Sequence, residues 1–467
     1  MGYPLSPTRS HPPSRGYRAL LKSSWTEVAI QSIVLPSIQI KPTQRGDAVP
    51  AYTLYTWIAR HIGIRPRLER VCVHYLLFLM VATTKHSLEE AARFSAMNKS
   101  QFSKFMKCHH QTSVYTLESL SKTQARRLSK VLKPSRGLPW KIVLIIDATL
   151  QSRSSLHPKN AQRFNHGQGF VIGHQWTNIV LILNEMLIPL RPIPFYSQSY
   201  CRENRLTYMS EHERVIAYLS NLNLEDYIGS YDSRDVVVLT DSGYDNKHIE
   251  KSISDKHWMF IIALKKTRNV KSEHLYATTP KSKQWSQIDQ FFRNQRRLKW
   301  KTIRLMTNGA KRKRMEFRIR HTRGRLRYVG QVQLVCSEPK KRPEGRRRYI
   351  ACNDMRVTAR QIMLGYRLRW TVELFHKSVK QYLGFEEVST SGFDSVISHV
   401  HWVYCAYILL YMSPPGVSKR PQSLGDRQRQ LRTYLEAKEK RRILQKLSQF
   451  GGVEKFKDEI RQALTDA

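Results

Sequence analysis

The chain has 467 residues, of which 41% are hydrophobic, and its 79 lysines and arginines against 36 aspartates and glutamates give a formal net charge of +43. The length predicts more than one structural unit, and the composition excludes a chain too polar to form a packed core. So large a positive charge repels itself unless a polyanion neutralises it, and nucleic acid is the partner it favours, because each phosphate contacted releases a counterion. An anionic membrane surface usually requires a basic amphipathic anchor or a lipid. Here the charge is spread over the whole length, so we expect no membrane association and no small-molecule substrate.

Five regions follow one another along the chain, distinguished by composition and by the spacing of their hydrophobic residues. The first is a flexible basic arm rich in proline and serine, and the last is a charged helical tail. Between them lie a helical region and an α/β core that is interrupted by a basic, β-rich insertion. We place these regions at residues 1–50 (arm), 51–138 (helical region), 139–264 and 358–412 (core), 265–357 (insertion) and 413–467 (tail).

The segment from Ser87 to Lys107 has the pattern of a helix-turn-helix. Ser87 with Glu90 three residues later is typical of a capped helix start, and a polar break at Asn98 separates this helix from a second one. Lys104 and Lys107 fall on the exposed side of the second helix, and a recognition helix requires a polar, basic face of this kind. We therefore predict that both lysines contact DNA. The alternative is a plain helical hairpin within a bundle.

Three unbroken apolar runs in the core predict buried β-strands. They are Lys141–Asp147, Val236–Asp241 and Trp258–Leu264. Runs without polar alternation indicate strands buried on both faces, and the helical patterns between them indicate an α/β layer fold.

Two of these runs end in a carboxylate, Asp147 and Asp241. Functional residues of α/β sheets lie at the carboxyl ends of strands, and burying a carboxylate beside apolar residues is costly unless a positive group pairs with it. Either aspartate alone could merely cap a following turn. Two of them in one α/β unit favour a functional site.

Further strands are predicted on both sides of the second run. Residues 170–183 predict two strands that are separated or bulged at Gly173. The insertion predicts strands at 300–306, 315–320, 326–335 and 349–352, with basic clusters at 311–314, 340–342 and 346–348 between them. We expect this basic insertion to clamp DNA.

A helix is predicted from Thr358, where Gln361 completes a capping box. On a continuous helix with 100° per residue, one face within about 60° of Tyr366 carries four further polar residues, and apolar residues fall on the opposite face. The four are Arg369, Glu373, Lys377 and Lys380. A single acid among cations and an aromatic suits a metal ligand beside a phosphate track. A solvated face with ion pairs four residues apart is the alternative.

The spacings of three, four and seven residues along this helix resemble the Tyr-Arg-Glu-Lys signature of bacterial insertion-sequence transposases of the DDE class. The residues that carry it here are Tyr366, Arg369, Glu373 and Lys380. Asp147-Ala-Thr and Asp241-Ser-Gly-Tyr resemble the first and second acid motifs of that group. The gap of about 130 residues between Asp241 and Glu373 is similar to that of members with a β-strand insertion. The resemblance covers about residues 85–410.

This resemblance implies an α/β fold with a ribonuclease H-like catalytic core, a β-rich insertion, and helical regions at both ends. It implies that Asp147, Asp241 and Glu373 hold two Mg²⁺ ions, for which Mn²⁺ can substitute, and that the enzyme cleaves transposon ends and transfers strands into target DNA. The DNA contacts that we expect here are Tyr366, Arg369, Lys377 and Lys380 on the helix and Lys104 and Lys107 nearer the N-terminus.

The partners implied are DNA, as transposon ends and target, and a second copy of the chain in a homodimeric synaptic complex. The location implied is the bacterial cytoplasm, at the nucleoid. Two alternatives remain open at this point: a ribonuclease H-like DNA nuclease that does not join strands, and an inactive, DNA-binding descendant.

Overall fold

A computed structural model describes residues 50–135, 137–272, 285–295, 298–306, 314–341, 347–388, 390–420 and 422–449. Several predictions lie wholly or partly outside these residues: the basic arm at 1–49, the basic cluster at 311–313, Arg342 and Arg346 of the clusters at 340–342 and 346–348, and a helix after Gly452.

The described N-terminal region consists of helices, as its hydrophobic pattern predicts. Their bounds are Pro50–Ile62 (α1), Pro66–Val81 (α2), Leu88–Ser95 (α3), Lys99–Cys108 (α4) and His110–Ser129 (α5). Helices α3 and α4 coincide with the two helices of the predicted helix-turn-helix.

Local hydrogen bonds explain where α3 and α4 begin and end. The Ser87 hydroxyl accepts the backbone N–H of Glu90, and Asn98 with Gln101 forms a reciprocal capping box. Ala96, in the left-handed conformation (φ 49°), ends α3. Lys104 and Lys107 are exposed on α4, and the apolar face of that helix is buried. A DNA-reading role for this pair of helices stays a prediction.

Thirteen described strands form one mixed, mostly antiparallel sheet. Their bounds are Ile142–Ser152 (β1), Gln162–His166 (β2), Gly169–Leu183 (β3), Met186–Pro189 (β4), Ile193–Pro194 (β5), Val236–Thr240 (β6), Met259–Leu264 (β7), Asn269–Ser272 (β8), Trp285–Gln287 (β9), Lys301–Met306 (β10), Arg314–Leu326 (β11), Gly330–Pro339 (β12) and Arg348–Cys352 (β13). The order is β2-β3-β1-β6-β7-β13-β12-β11-β8-β9, with β4 and β5 on β3 and β10 on β11.

Parallel pairing is limited to β1 with β6 and β6 with β7. The expectation of two strands within residues 170–183 is wrong, because β3 continues through Gly173 and pairs with β1 from Ile142 to Ser152. A Cβ added at Gly173 would lie 2.0 Å from the carbonyl oxygen of Gln151. Glycine therefore marks a close approach of two backbones here, and not an interruption.

Side-chain alternation sends the apolar runs of β1 and β6 into two different cores. On β1, Val143 and Ile145 join a large cluster with the C-terminal helices, while Leu144 and Ile146 join a second cluster on the other face of the sheet. Since successive residues of a strand point to opposite faces, burial of both faces explains why these runs lack polar residues.

Helices between and after the strands cover the sheet. They are Gln198–Glu203 (α6), Glu211–Asn221 (α7), Glu225–Ile228 (α8), Lys247–Asp255 (α9), Ile288–Asn294 (α10), Ala359–Leu368 (α11), Trp370–Tyr382 (α12), Phe393–Tyr411 (α13) and Leu424–Gln449 (α14). None of the described helices is long and apolar enough to cross a bilayer.

The predicted continuous helix from Thr358 to Lys380 is wrong in one respect, since it divides at Arg369 into α11 and α12. The N–H of Val372 bonds to the carbonyl oxygen of Arg369 at 3.1 Å, a tighter turn than an α-helix makes. The predicted capping box of Thr358 and Gln361 is present at the start of α11.

Candidate active site

Strand register brings Asp147 and Asp241 to the same level of the sheet. Ile146 pairs with Thr240 at the last parallel position between β1 and β6, so each aspartate is the next residue of its strand. Neighbouring strands lie about 4.8 Å apart. The expectation that Asp147 ends its strand is wrong, because β1 continues to Ser152; it is β6 that ends there.

Alternation also sets the side of the sheet on which the two acids lie. Asp147 follows Val143 and Ile145 at two-residue steps, and Asp241 follows Val237 and Leu239 in the same way. These four apolar residues belong to the core cluster that includes Val372, Phe375 and Val379 of α12. Both aspartates therefore lie on the face that α12, the helix of Glu373, covers.

Asp241 belongs to the candidate site and also begins a turn. Its Oδ1 accepts the backbone N–H of Gly243 at 2.8 Å and so caps the 3-10 turn Ser242–Tyr244. A Cβ at Gly243 would lie 2.9 Å from that same oxygen. The turn-capping alternative for Asp241 is thus observed, and it fixes the orientation of the carboxylate.

Arg369 joins Asp147 to Glu373. Its guanidinium donates to Asp147 Oδ1 at 3.2 Å and to Glu373 Oε1 at 2.6 Å. The Tyr366 ring lies 5.9 Å from the guanidinium carbon. Asp147 and Arg369 side chains are each 12% exposed and Glu373 is 33% exposed. Arg369 therefore lies between the two carboxylates, close to the protein surface.

The surroundings of Asp147 disfavour its charged form. Burial is the main cause that raises the pKa of Asp147 to about 7, and the charges of Asp241, Glu373 and Glu211 raise it further, while Arg369 opposes them. These Coulombic couplings indicate that four acids act on one another at this place. An additional cation would relieve this excess of negative charge.

A buried hydrogen-bond chain lies behind Asp147. The Tyr404 hydroxyl donates to Asn178 Oδ1 at 2.5 Å, and the Asn178 amide nitrogen lies 2.9 Å from His376 Nε2. His376 Nδ1 is 3.8 Å from Asp147 Oδ2. Burial lowers the pKa of His376 to about 3. A neutral imidazole that accepts from Asn178 at Nε2 carries its proton on Nδ1, so it faces Asp147 with an N–H group.

Sequence reasoning missed Glu211, the first residue of α7. Its Oε1 accepts from the Thr177 hydroxyl at 2.8 Å and from the Tyr244 hydroxyl at 2.7 Å, and its Oε2 accepts from the Gln175 amide at 2.8 Å. Glu211 therefore holds the turn after Asp241 against β3. The only local signal, the capping box of Ser210 and Glu213, marks the helix start and gives no hint of these distant partners.

The other residues that we predict to contact DNA do not all lie at the site. Lys377 is exposed on α12. Lys380 bonds to the carbonyl oxygen of Leu150 and pairs with Glu386 at 3.0 Å. Lys104 and Lys107 lie on α4, in the N-terminal helical region. The structure thus brings Tyr366 and Arg369 to the acids and gives Lys380 protein partners of its own.

A cleft of about 550 Å³ opens along β1, beginning at the residue after Asp147. The residues that line it belong to β1, β2 and β3, to α12 and to the segment after α12. They are Ala148, Thr149, Leu150, Ser152, Phe164, Asn165, Val171, Gln175, Lys380 and Glu386. The open stretch of β1 beyond Asp147 therefore forms one wall of it.

The donor set fits a divalent cation in its chemistry. Carboxylate oxygens are hard ligands of the kind that Mg²⁺ binds, and the charges of Asp241, Glu373 and Glu211 add to the burial that raises the pKa of Asp147. As arranged here, no three His, Cys, Asp or Glu side chains of the described residues stand together as a metal-holding group. Arg369 takes up the facing oxygens of Asp147 and Glu373.

A mixed α/β fold with acids beside the end of a parallel strand pair, in so basic a chain, suggests the class of enzymes that process nucleic acid. Residues 202–409 match the family model described as Transposase DDE domain. This match supports a DDE-class transposase, and such a domain implies DNA as the partner and divalent metals as the general cofactors of the class. The matched stretch contains Asp241 and Glu373 and begins after Asp147. No curated protein matches the chain.

Proposed function

We propose that the chain cleaves DNA at transposon ends and transfers the freed strands into target DNA, and that Asp147, Asp241 and Glu373 carry the reaction. The observation that supports this most strongly is the double pairing of Arg369 with Asp147 and Glu373. It brings together two acids that are 226 residues apart in the sequence, and the β1–β6 register supplies the third.

The proposed catalytic core is ribonuclease H-like. Its support is the strand order β4-β3-β1-β6-β7, in which the first three strands are antiparallel and the last two run parallel to β1. The insertion, from β8 to β13, extends the same sheet beyond β7.

When two Mg²⁺ or Mn²⁺ ions are bound, they supply activation of the attacking oxygen and stabilisation of the leaving oxygen. The three carboxylates would hold them. Once the acids bind metal ions, the Arg369 guanidinium can donate two hydrogen bonds to a phosphate. The Tyr366 ring lies beside that guanidinium. Lys377 is exposed for a phosphate contact, whereas Lys380 must first leave Glu386.

The His376 imidazole lies behind Asp147 and acts on it electrostatically, because Nδ1 is 3.8 Å from Oδ2 and thus beyond a hydrogen bond. Its Nδ1–H faces Oδ2, and Asn178 and Tyr404 fix the ring from the other side. Outer partners of this type commonly change metal affinity or activity by about 10- to 100-fold.

The test is DNA cleavage and joining by the full chain and by Asp147→Asn. The substrate is a supercoiled plasmid that carries the coding sequence with its native flanking DNA, with Mg²⁺ present or replaced by EDTA. We expect the variant to lose cleavage on the order of 10³-fold or more while it still binds DNA. Asp255→Asn, at an exposed acid on α9, is the control and should cleave normally.

Two outcomes separate the alternatives. Cleavage without joined products would indicate a nuclease that does not transfer strands. DNA binding by the full chain without Mg²⁺-dependent cleavage would contradict the proposal and indicate an inactive, DNA-binding descendant.

Assembly and location follow from the same proposal. Two ends must be joined, so we propose a homodimeric synaptic complex on DNA in the bacterial cytoplasm, at the nucleoid. Light scattering with and without end-bearing DNA tests the dimer.

A further inference from the structure

The insertion carries a row of arginines that runs along one face of β11 and into the turn after it. Arg323, Arg325 and Arg327 are exposed, and Gly324 and Leu326 between them are buried. Arg323 and Arg325, two residues apart on the strand, lie on one face about 6.7 Å apart, and Arg327 is the first residue of the turn that follows β11. We call these three residues the arginine row.

None of the three forms an ion pair with a carboxylate among the described residues, although other arginines of the insertion do. Arg318 and Arg347, for example, both pair with Glu338. The arginine row therefore keeps its charge available for an external anion.

A neighbouring strand adds to this charge. Lys271 of β8 pairs directly with Arg325 in the antiparallel register. Like charges directly opposite each other destabilise a strand pair. Charged residues can protect the edge of a sheet from unwanted pairing, but β11 lies between β12 and β8, so edge protection does not explain them.

The row ends close to the turn of Asp241. Tyr328, at the tip of the β11–β12 hairpin, is 61% exposed. Its ring lies 4.8 Å from the Lys247 ammonium and 5.6 Å from the Arg327 guanidinium carbon. Lys247 is the first residue of α9, six residues after Asp241. The hairpin tip therefore connects the cationic face of the insertion to the acid-bearing end of the core.

We propose that the arginine row, with Lys271, Lys247 and Tyr328, is a track for the phosphate backbone of DNA that leads into the active site. This inference rests on the proposed function and names the path of its substrate. One strand of B-DNA rises about 3.4 Å per phosphate along the helix axis and also winds around that axis, so the spacing of the arginines on β11 is close to that of neighbouring phosphates. The contact is to the backbone and carries no sequence preference.

The test is the salt dependence of binding to a duplex of random sequence. Each phosphate contact contributes about 0.9 to the slope of log K against log salt. We expect R323Q/R325Q to reduce the slope by about 2. R323K/R325K keeps the charge and should keep most of the slope. R126Q/R202Q removes two exposed arginines from α5 and α6 and should leave the slope unchanged.

The outcomes distinguish this inference from the proposed function. Normal cleavage and joining with an unchanged slope in R323Q/R325Q would overturn the track and leave the transposase proposal intact. A reduced slope with no cleavage by the unaltered chain would support the track and contradict the catalytic proposal. An equal loss in R126Q/R202Q would show a diffuse charge effect and overturn the track, and so would row-dependent binding of duplex RNA in preference to DNA. Unchanged circular dichroism and melting temperature confirm that each variant is folded.

Discussion

Two arginines that each lie between two carboxylates differ in their surroundings. Arg369 lies between Asp147 and Glu373, and Arg268 lies between Asp245 and Glu250. Each arginine and its two carboxylates form a triad. The two triads contain the same chemical groups but differ in their exposure to solvent. Asp245 and Glu250 side chains are 1% and 0% exposed, whereas Asp147 and Glu373 are 12% and 33% exposed.

The buried triad links parts of the fold. Asp245 follows the turn of Asp241, Glu250 lies in α9, and Arg268 lies in the connection from β7 into the insertion. Asp245 Oδ2 also accepts the backbone N–H of Lys265 at 2.7 Å. The comparison teaches that an arginine shared by two acids stabilises the fold where water is excluded. Where the acids are partly exposed, they remain available to cations.

The largest expected effect separates the triads by stability. Arg268→Ala leaves two buried carboxylates without a cation and should lower the free energy of unfolding by about 3–5 kcal/mol. Arg369→Ala should cost less than half as much, because water reaches Glu373 and Asp147 can take up a proton. Urea unfolding followed by circular dichroism measures both, with Arg126→Ala as the exposed control. Equal losses would contradict the distinction.

The next largest effect that we expect is a difference between the two triads in cation binding. Added Mg²⁺ should raise the melting temperature of the unaltered chain, since a ligand at 100 times its Kd stabilises by about 2.7 kcal/mol. The increase should disappear in Asp147→Asn and persist in Asp245→Asn. The comparison uses the Mg²⁺-induced shift of each variant, so a change in its starting stability does not matter. A shift that depends on Asp245 would place the cation in the wrong triad.

Removing the support of the Asp241 turn should have a smaller effect. Glu211→Gln disturbs the bonds from Tyr244 and Thr177, and we expect about a 10- to 100-fold loss of cleavage rate. Tyr244→Phe should lose a similar amount if the bond to Glu211 is what matters. Glu213→Gln, at an exposed acid of the same helix, is the control. If the loss appears in thermal stability and not in Mg²⁺ dependence or rate, Glu211 is only structural.

The smallest expected effect is a dependence of stability on pH in the buried triad. Burial, together with the charge of Asp245, raises the pKa of Glu250 to about 7. A raised carboxyl pKa means that the folded chain holds the proton more tightly, so this stabilisation is complete below about pH 4.5 and is lost as the pH rises through about 7. Between pH 5 and 8, Glu250→Gln should therefore lose about 2 kcal/mol less of its free energy of unfolding than the unaltered chain does. Parallel curves of melting temperature against pH would contradict this.

Much of the site's frame could be predicted from local patterns. The unbroken runs before Asp147 and Asp241 indicate strands buried on both faces, and the structure contains β1 and β6 there. Capping residues such as Thr358 mark helix starts because their partners are three residues away. These features depend on neighbours in sequence, which the sequence displays.

Other features depend on partners that are distant in sequence. Whether β3 is one strand or two is decided by its pairing with β1, and the close approach at Gly173 looks like a break when read alone. Arg369 shows four-residue spacing to Glu373, but its bond to Asp147 arises only in the folded chain. Glu211 has partners on β3 and in the turn after Asp241, so no spacing pattern revealed it.

The course of β1 past Asp147 has a consequence for which changes the chain can tolerate. Once β6 ends at Thr240, residues 148–152 pair only with β3 among the described strands, and their other edge borders the cleft. Main-chain amides and carbonyls on that border are common to every amino acid. Exchanging Leu150 for other side chains of similar size should therefore be better tolerated than proline there, which would remove a donor from the cleft wall.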